Sequence, residues 1–197
     1  MNRFGIRWSD TERHEPIQMK IKIAIVDDEQ SQTEYLAELV TRWAKENHYV
    51  ASLLTFPSSE SFLCSYKEDR SFDMLLLDIE MGDMDGISLA RQVRAKNRIV
   101  QIVFVTGYFE YISDGYEVSA LHYLLKPATS GKLFPVLDRA AENLRAREPC
   151  LVAANAGQTV RVPLHDVVYI ESLRNYSMIF TVDSSYRVRV PLSKLED

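Results

Sequence analysis

LLLDIEMGDMDG, residues 75–86, is the stretch on which the fold turns. Met74–Ile79 reads as a short strand, apolar throughout except for Asp78 near its carboxyl end. A strand that is hydrophobic on both faces belongs in a parallel sheet covered by helices on both sides. The loop that follows contains Gly82 and Gly86, and beyond it Ile87, Ala90 and Val93 recur at helical spacing. The unit is strand, loop, helix, with a carboxylate where the strand ends.

The same unit repeats in both directions. Toward the N-terminus, Ile21–Val26 is an apolar, β-branched run ending in Asp27-Asp28. Tyr35, Leu36, Leu39, Val40 and Trp43 then predict a helix over about 29–47. Val50–Thr55 fits a second strand, and after Pro57 and Ser58 the residues Phe62, Leu63 and Tyr66 suit a second helix. Toward the C-terminus, Ile99–Val105 is a fourth strand, with a helix expected near Phe109–Gly115. Ala120–Leu125 is a fifth strand ending at Lys126-Pro127. Leu133, Val136, Leu137, Ala140 and Leu144 form a closing helical stripe, whose first turns Pro135 is expected to kink. Short apolar strands alternating with amphipathic helices predict an α/β domain with a doubly wound five-stranded parallel sheet. In such sheets ligands bind at the carboxyl ends of the strands.

Composition narrows the class further. Of 197 residues, 46% are hydrophobic and 26% charged, with seven Gly and seven Pro, which excludes a disordered or fibrous chain. No apolar run approaches the ~20 residues of a membrane span. Met1–Lys20 is polar and charged, unlike a signal peptide. Cys64 and Cys150 match no metal-ligand spacing. These features predict a cytoplasmic protein without a membrane partner. Net charge is −5, and residues 151–197 hold five Lys/Arg and five Asp/Glu, so residues 1–150 carry the whole imbalance.

Three segments are expected. Residues 1–19 read as a polar tail, with Met19 as a second candidate for the start of translation. Residues 20–147 hold the α/β domain, and Glu148-Pro149 marks a boundary. Residues 151–197 switch to strands only: Leu151–Ala154, Thr159–Val162, Val167–Glu171, Ser177–Val182 and Tyr186–Val190. Asn155, Gly157, Asp183 and Ser184 mark the turns between them.

The polar residues at the strand ends carry the chemistry. Asp27-Asp28, Asp78, Thr106 and Lys126 end four different strands and converge on one edge of the sheet. Clustered carboxylates repel one another unless a cation is bound. Hard oxygen ligands suit Mg²⁺. A carboxylate beside Mg²⁺ can attack phosphorus and form an aspartyl phosphate. Asp78 is the natural nucleophile, with Lys126 supplying positive charge and Thr106 a hydroxyl donor.

With these residues in place, 20–147 resembles a response-regulator receiver domain of flavodoxin-like fold. The resemblance is carried by IAIVDDE (23–29), LLLDIEMGDMDG (75–86), FVTG (104–107) and LHYLLKP (121–127). It implies that Asp27 and Asp28 bind Mg²⁺, that Asp78 is phosphorylated, and that Thr106 and Lys126 contact the phosphoryl group. It also implies that Glu80 offers its backbone carbonyl to the metal and that Tyr123 is the switch aromatic. A sensor histidine kinase would be the donor. Phosphorylation would favour a homodimer through the face of the fourth helix, fifth strand and fifth helix. One departure stands out: Gly82 occupies a position where the family usually has Pro, which is expected to loosen the loop.

Residues 151–197 resemble the beginning of a LytTR-type DNA-binding domain, on VVYIESLRNYSMIF (167–180) and YRVRVPLSKLED (186–197). Ser193 and Glu196 have the spacing of a capping box, which announces a helix just before Asp197, so this domain is expected to be truncated. Arg174, Asn175 and Tyr176 are the candidates for DNA contact. The implied function is phosphorylation-controlled transcription, not catalytic turnover. A phosphatase using an aspartyl phosphate is the competing class. It would place an Asp two residues past the nucleophile, where Glu80 stands. A third possibility is a partner-binding or phosphate-sink module that binds no promoter.

Overall fold

The computed structural model describes residues 19–107, 117–147, 150–155, 158–173, 176–181 and 184–188. Strand β1 (Lys20–Val26) leads into α1 (Gln30–Glu46), then β2 (Val50–Phe56) and α2 (Ser59–Glu68). Strand β3 (Met74–Leu77) leads into α3 (Gly86–Arg94), β4 (Gln101–Thr106), β5 (His122–Leu125) and α4 (Ser130–Arg147). The five strands pair in parallel in the order β2-β1-β3-β4-β5. This is the doubly wound sheet that the apolar strands predicted. The helix expected near Phe109–Gly115 lies outside the described residues, as do Arg174, Asn175, Ser193 and Glu196.

Alternate side chains feed two cores. Ile21, Ile23 and Ile25 of β1 pack with Leu36, Val40 and Trp43 of α1 and with Leu133 and Leu137 of α4. Ala24 and Val26 point the other way, into Phe62 and Tyr66 of α2 and Ile87 and Val93 of α3. Each buried Ile, Leu or Phe contributes about 1.5–3 kcal/mol, so the two-sided pattern itself selects this layering. Between α1 and α4 the Trp43 indole donates to Asp138 Oδ1 at 2.7 Å, giving the buried ring a polar partner.

Local signals set the ends. Ser58 caps α2, its hydroxyl accepting from the Ser61 amide at 3.2 Å, with Ser61 Oγ accepting in return from the Ser58 amide. Asp85 caps α3 by accepting from the Ser88 amide at 2.6 Å. Helix α4 runs on with Pro135 inside it. Pro135 and Gly131, whose carbonyl it deprives of a donor, are both exposed, so water can take the place of the missing amide.

Strand β4 begins two residues later than the periodicity predicted. Asn97 Oδ1 accepts from the amides of Ile99 and Val100, at 2.9 and 3.1 Å. The Ile99 carbonyl accepts from the side chains of Arg147 and Gln101, both at 2.8 Å. Those backbone groups are satisfied by side chains and do not join the ladder.

Arg94 holds this region together. Its guanidinium donates to the carbonyls of Val118 (2.8 Å), Val100 (2.9 Å), Asn97 (3.2 Å) and Ser119 (3.4 Å). Arg94→Met keeps the stem but orphans these acceptors. We expect a loss of about 3 kcal/mol, read as a lower urea midpoint at unchanged slope. A shift below a few tenths of a kcal/mol would show that water replaces the guanidinium at little cost.

Met19–Arg147 forms one compact unit, and the later strands belong to a second. In the second, β6 (Cys150–Asn155) and β7 (Gln158–Pro163) form an antiparallel pair. A 3₁₀ turn (Leu164–Asp166) leads to β8 (Val167–Leu173), β9 (Tyr176–Thr181) and β10 (Ser185–Val188), an antiparallel sheet in the order β10-β9-β8. Val162, Ile179 and Val188 are its buried centre, with Leu151, Ile170 and Tyr186 packed around them.

Candidate functional site

The parallel sheet places the ends of β1, β3, β4 and β5 side by side. At the end of β1, the Asp27 amide donates to the Phe56 carbonyl at 3.1 Å, and Asp27 Oδ1 accepts from the Glu29 amide at 2.9 Å. These bonds turn the chain into α1 and bury the carboxylate, which is 2% exposed. Asp78 follows β3. Its amide donates to the Val26 carbonyl at 2.9 Å, and its Oδ1 accepts from the Ile79 amide at 2.6 Å. Thr106 ends β4 and is fully buried. Its carbonyl accepts from the Lys126 amide at 2.8 Å, which fixes Lys126 just beyond β5. The Lys126 ammonium then lies 2.8 Å from Asp27 Oδ2 and 2.6 Å from Asp78 Oδ2. Residues that are 99 positions apart in the chain thus form one ionic cluster.

Asp28 is exposed beside this pair. Carboxylate oxygens of Asp27, Asp28 and Asp78 all lie within 4.8 Å of one another. Burial pushes the Asp27 carboxyl up, against hydrogen bonds from Lys126 and the Glu29 amide that favour its charged form. For Lys126, burial pulls the ammonium down, but its hydrogen bonds to Asp27 and Asp78 outweigh this and hold it above the ordinary value. One ammonium pairs with two of the three clustered carboxylates. Asp27 Oδ2 is buried, with the Lys126 ammonium as its charge partner at 2.8 Å. An all-oxygen donor set with surplus negative charge fits a hard divalent cation.

The remaining sequence candidates are placed less centrally. Tyr123, on β5, is half-buried, with its ring centroid 5.7 Å from that of Phe104. Glu80 is exposed in the loop after Asp78. Tyr176 lies on β9, where the Arg187 guanidinium sits 4.0 Å over its ring.

Two glycines shape the loop around Asp78. A Cβ on Gly86 would stand 1.9 Å from the Asp78 carbonyl oxygen, and the Gly86 amide donates to the Ile79 carbonyl at 2.8 Å. The loop therefore closes on itself against a residue without a side chain. The sequence places Gly86 in the loop ahead of the α3 stripe but carries no sign of this close approach. Gly82 has φ +33°. Proline, fixed near −65°, cannot adopt that angle, so the glycine sets the direction of the turn.

A family model for the response regulator receiver domain matches residues 23–138. The chain is 31% identical over 144 residues to the transcriptional regulatory protein ZraR of Salmonella typhimurium, covering 72% of this chain and 31% of ZraR. It is 37% identical over 78 residues to an uncharacterized response regulatory protein of Vibrio cholerae, covering 40% of this chain and 30% of that protein. The chain thus spans less than a third of these two relatives. Against the sensory transduction protein LytT of Bacillus subtilis it is 25% identical over 188 residues, covering 89% of this chain and 75% of LytT. Among solved structures, the response regulatory domain of mrkE from Klebsiella pneumoniae superposes with a TM-score of 0.58 at 23% identity, over 64% of this chain and all of that one. The response regulator protein TrrA of Thermotoga maritima, solved in complex with Mg²⁺-BeF, gives 0.54 at 26% identity, over 61% and 98%.

Proposed function

Because the chain belongs to the response regulator receiver family, we propose that it accepts a phosphoryl group on Asp78 from a sensor histidine kinase and uses it to control transcription. The observation that carries this reading is the cluster itself, in which Asp27 and Asp78 converge on one ammonium at 2.8 and 2.6 Å. Asp27, Asp28 and Asp78 would hold Mg²⁺, with the Glu80 backbone carbonyl as a further ligand. When bound, the metal would neutralise phosphoryl charge and offset the repulsion among the carboxylates.

An Asp78 carboxylate oxygen attacks phosphorus, the bond to the donor's leaving group breaks, and an acyl phosphate forms. Lys126 follows the new charge and pairs with a phosphoryl oxygen. Thr106 donates its hydroxyl to another. Tyr123, packed on Phe104, then turns inward and shifts an existing conformational equilibrium. Homodimerisation through the β5 face follows.

Residues 20–147 are the receiver in this reading, and 1–19 a tail. Residues 151–197 are part of a LytTR-type DNA-binding domain, with Arg174, Asn175 and Tyr176 facing DNA. Alignment with LytT over 188 residues extends past the receiver and supports that output. The work is regulatory, without substrate turnover, and takes place in the cytoplasm. Among the described residues no helix is long and apolar enough to cross a membrane.

The direct test is intact-protein mass after incubation with acetyl phosphate, with and without Mg²⁺. We expect a gain of one phosphoryl group only when Mg²⁺ is present. An unchanged mass in both conditions would sink the reading. The metal site has its own readout. At a concentration a hundred times its dissociation constant, Mg²⁺ adds about 2.7 kcal/mol of stability, so the melting temperature rises and EDTA reverses the rise. Asp27→Asn removes a buried ligand and is expected to lose most of this shift. An equal shift in both proteins would place the metal elsewhere.

A further inference from the structure

At the end of the sheet opposite the carboxylates, the turn 97–100 is gripped by two guanidinium groups. Arg94 reaches the carbonyls of Asn97 and Val100 from α3, at 3.2 and 2.9 Å. Arg147, the last residue of α4, donates to the Ile99 carbonyl at 2.8 Å. Inside the turn, Asn97 Oδ1 holds the amides of Ile99 and Val100. The backbone is therefore fixed on both sides of Arg98.

Lys96, Arg98 and Arg147 are all exposed there. Among the described residues no carboxylate forms an ion pair with any of them, and Glu117 is held by Arg91 of α3 at 2.7 Å. Arg147 uses one N–H on Ile99 and keeps others to offer, since a guanidinium has five. Like charges crowd at this turn. Burial, and after it the charge of Arg147, lowers the Arg94 value. The chain as a whole carries −5, so a cationic cluster on a rigid turn is a local feature and not part of a general basic coat.

We propose that this turn is a contact for the DNA phosphate backbone, with Lys96, Arg98 and Arg147 as its cations. The inference rests on the transcriptional reading above and adds to it. The receiver unit contributes a sequence-independent contact of its own, at the end from which the chain leaves it. A turn already ordered by Arg94 and Asn97 loses little entropy on binding, and each neutralised phosphate releases condensed counterions. Nucleic acid is favoured over other polyanions because relatives aligned over 72% and 84% of this chain are transcriptional regulatory proteins.

The test uses the full chain, wild type against the double variant Lys96→Gln/Arg98→Gln, binding a fluorescent random-sequence duplex across a salt series. Neither side chain has a hydrogen bond or ion pair to lose among the described residues, and phosphoryl uptake at Asp78 serves as the check on folding. Each phosphate contact contributes about 0.9 to the slope of log K against log salt, so the double variant is expected to be shallower by about 2 and to bind at least about tenfold more weakly near 0.1 M salt. Equal slopes and affinities would overturn the proposal while leaving the DNA-binding reading in place. A wild type that takes phosphate but binds no duplex at low salt would overturn both. Binding to phosphatidylserine vesicles that is lost in the double variant, with DNA binding unchanged, would overturn the proposal in favour of an anionic membrane surface.

Discussion

Asp78→Asn is expected to abolish phosphoryl uptake while leaving the fold intact. The amide oxygen can still accept from the Ile79 amide, as Asp78 Oδ1 does at 2.6 Å, so the local turn survives. What disappears is the anionic oxygen proposed to attack phosphorus. A neutral amide is not a nucleophile toward phosphorus under these conditions, so the expected loss is complete within detection and not a slowing. Stability is expected to move the other way. Asp27, Asp28 and Asp78 crowd their oxygens within 4.8 Å of one another, and removing one charge relieves that repulsion. Without Mg²⁺ the variant is expected to melt at or above the wild-type temperature. Two measurements decide the matter: intact mass after acetyl phosphate treatment, and a thermal scan in EDTA. Full uptake in the variant would mean that another residue is the acceptor. A large drop in melting temperature would mean that the Asp78 charge holds Lys126 and the sheet edge together more strongly than the carboxylates repel.

Gly86→Ala is the second large effect, and it acts through the backbone. The added methyl carbon would stand 1.9 Å from the Asp78 carbonyl oxygen and 2.9 Å from its carbonyl carbon. Neither can swing aside as a side-chain tip would. The Asp78 amide is tied to Val26, and the Ile79 carbonyl to the Gly86 amide itself. Either the α3 start moves or Asp78 does. Overpacking of this kind costs about 3 kcal/mol, and because the displaced group is the proposed acceptor residue, phosphoryl uptake is expected to fall sharply even where the protein stays folded. Gly131→Ala is the control. Nothing lies within 4 Å of its added carbon, and it sits in the first turn of α4, where alanine is expected to stabilise by about 0.5 kcal/mol. Urea midpoints for the two variants should therefore move in opposite directions. A Gly86→Ala protein as stable and as readily phosphorylated as wild type would show that this loop is pliable.

Much of the cluster was legible in the chain because strand ends are local events. An apolar β-branched run that stops at an acidic pair, as at Val26-Asp27, marks its own terminus. The same holds for Leu77-Asp78, Val105-Thr106 and Leu125-Lys126. Gly86 was harder to read. Its Asp-Gly sequence serves equally well for a cap or a turn, and only the approach of the Asp78 carbonyl shows why a side chain is excluded. The start of β4 was misplaced because Ile99 is as strand-like as Ile102 by residue type. What removes it from the ladder is a set of side chains from Asn97, Gln101 and Arg147.

The sequence by itself determined the layering and which polar residues stand at the strand ends. Period-two burial in β1, with Ile21, Ile23 and Ile25 on one face and Ala24 and Val26 on the other, needs helices on both sides. That periodicity comes from backbone geometry within a few residues. The tertiary structure alone decided the distances and the environments. Asp27 is buried while its neighbour Asp28 is exposed. Lys126 reaches both Asp27 and Asp78 because the order β2-β1-β3-β4-β5 sets β3 and β4 between the strands that carry the ammonium and the first carboxylate. Arg94 caps four carbonyls from two separate segments, 97–100 and 118–119. Each of these depends on which strands and turns become neighbours, and that is fixed by the packing of groups distant in sequence, which no local window of residues encodes.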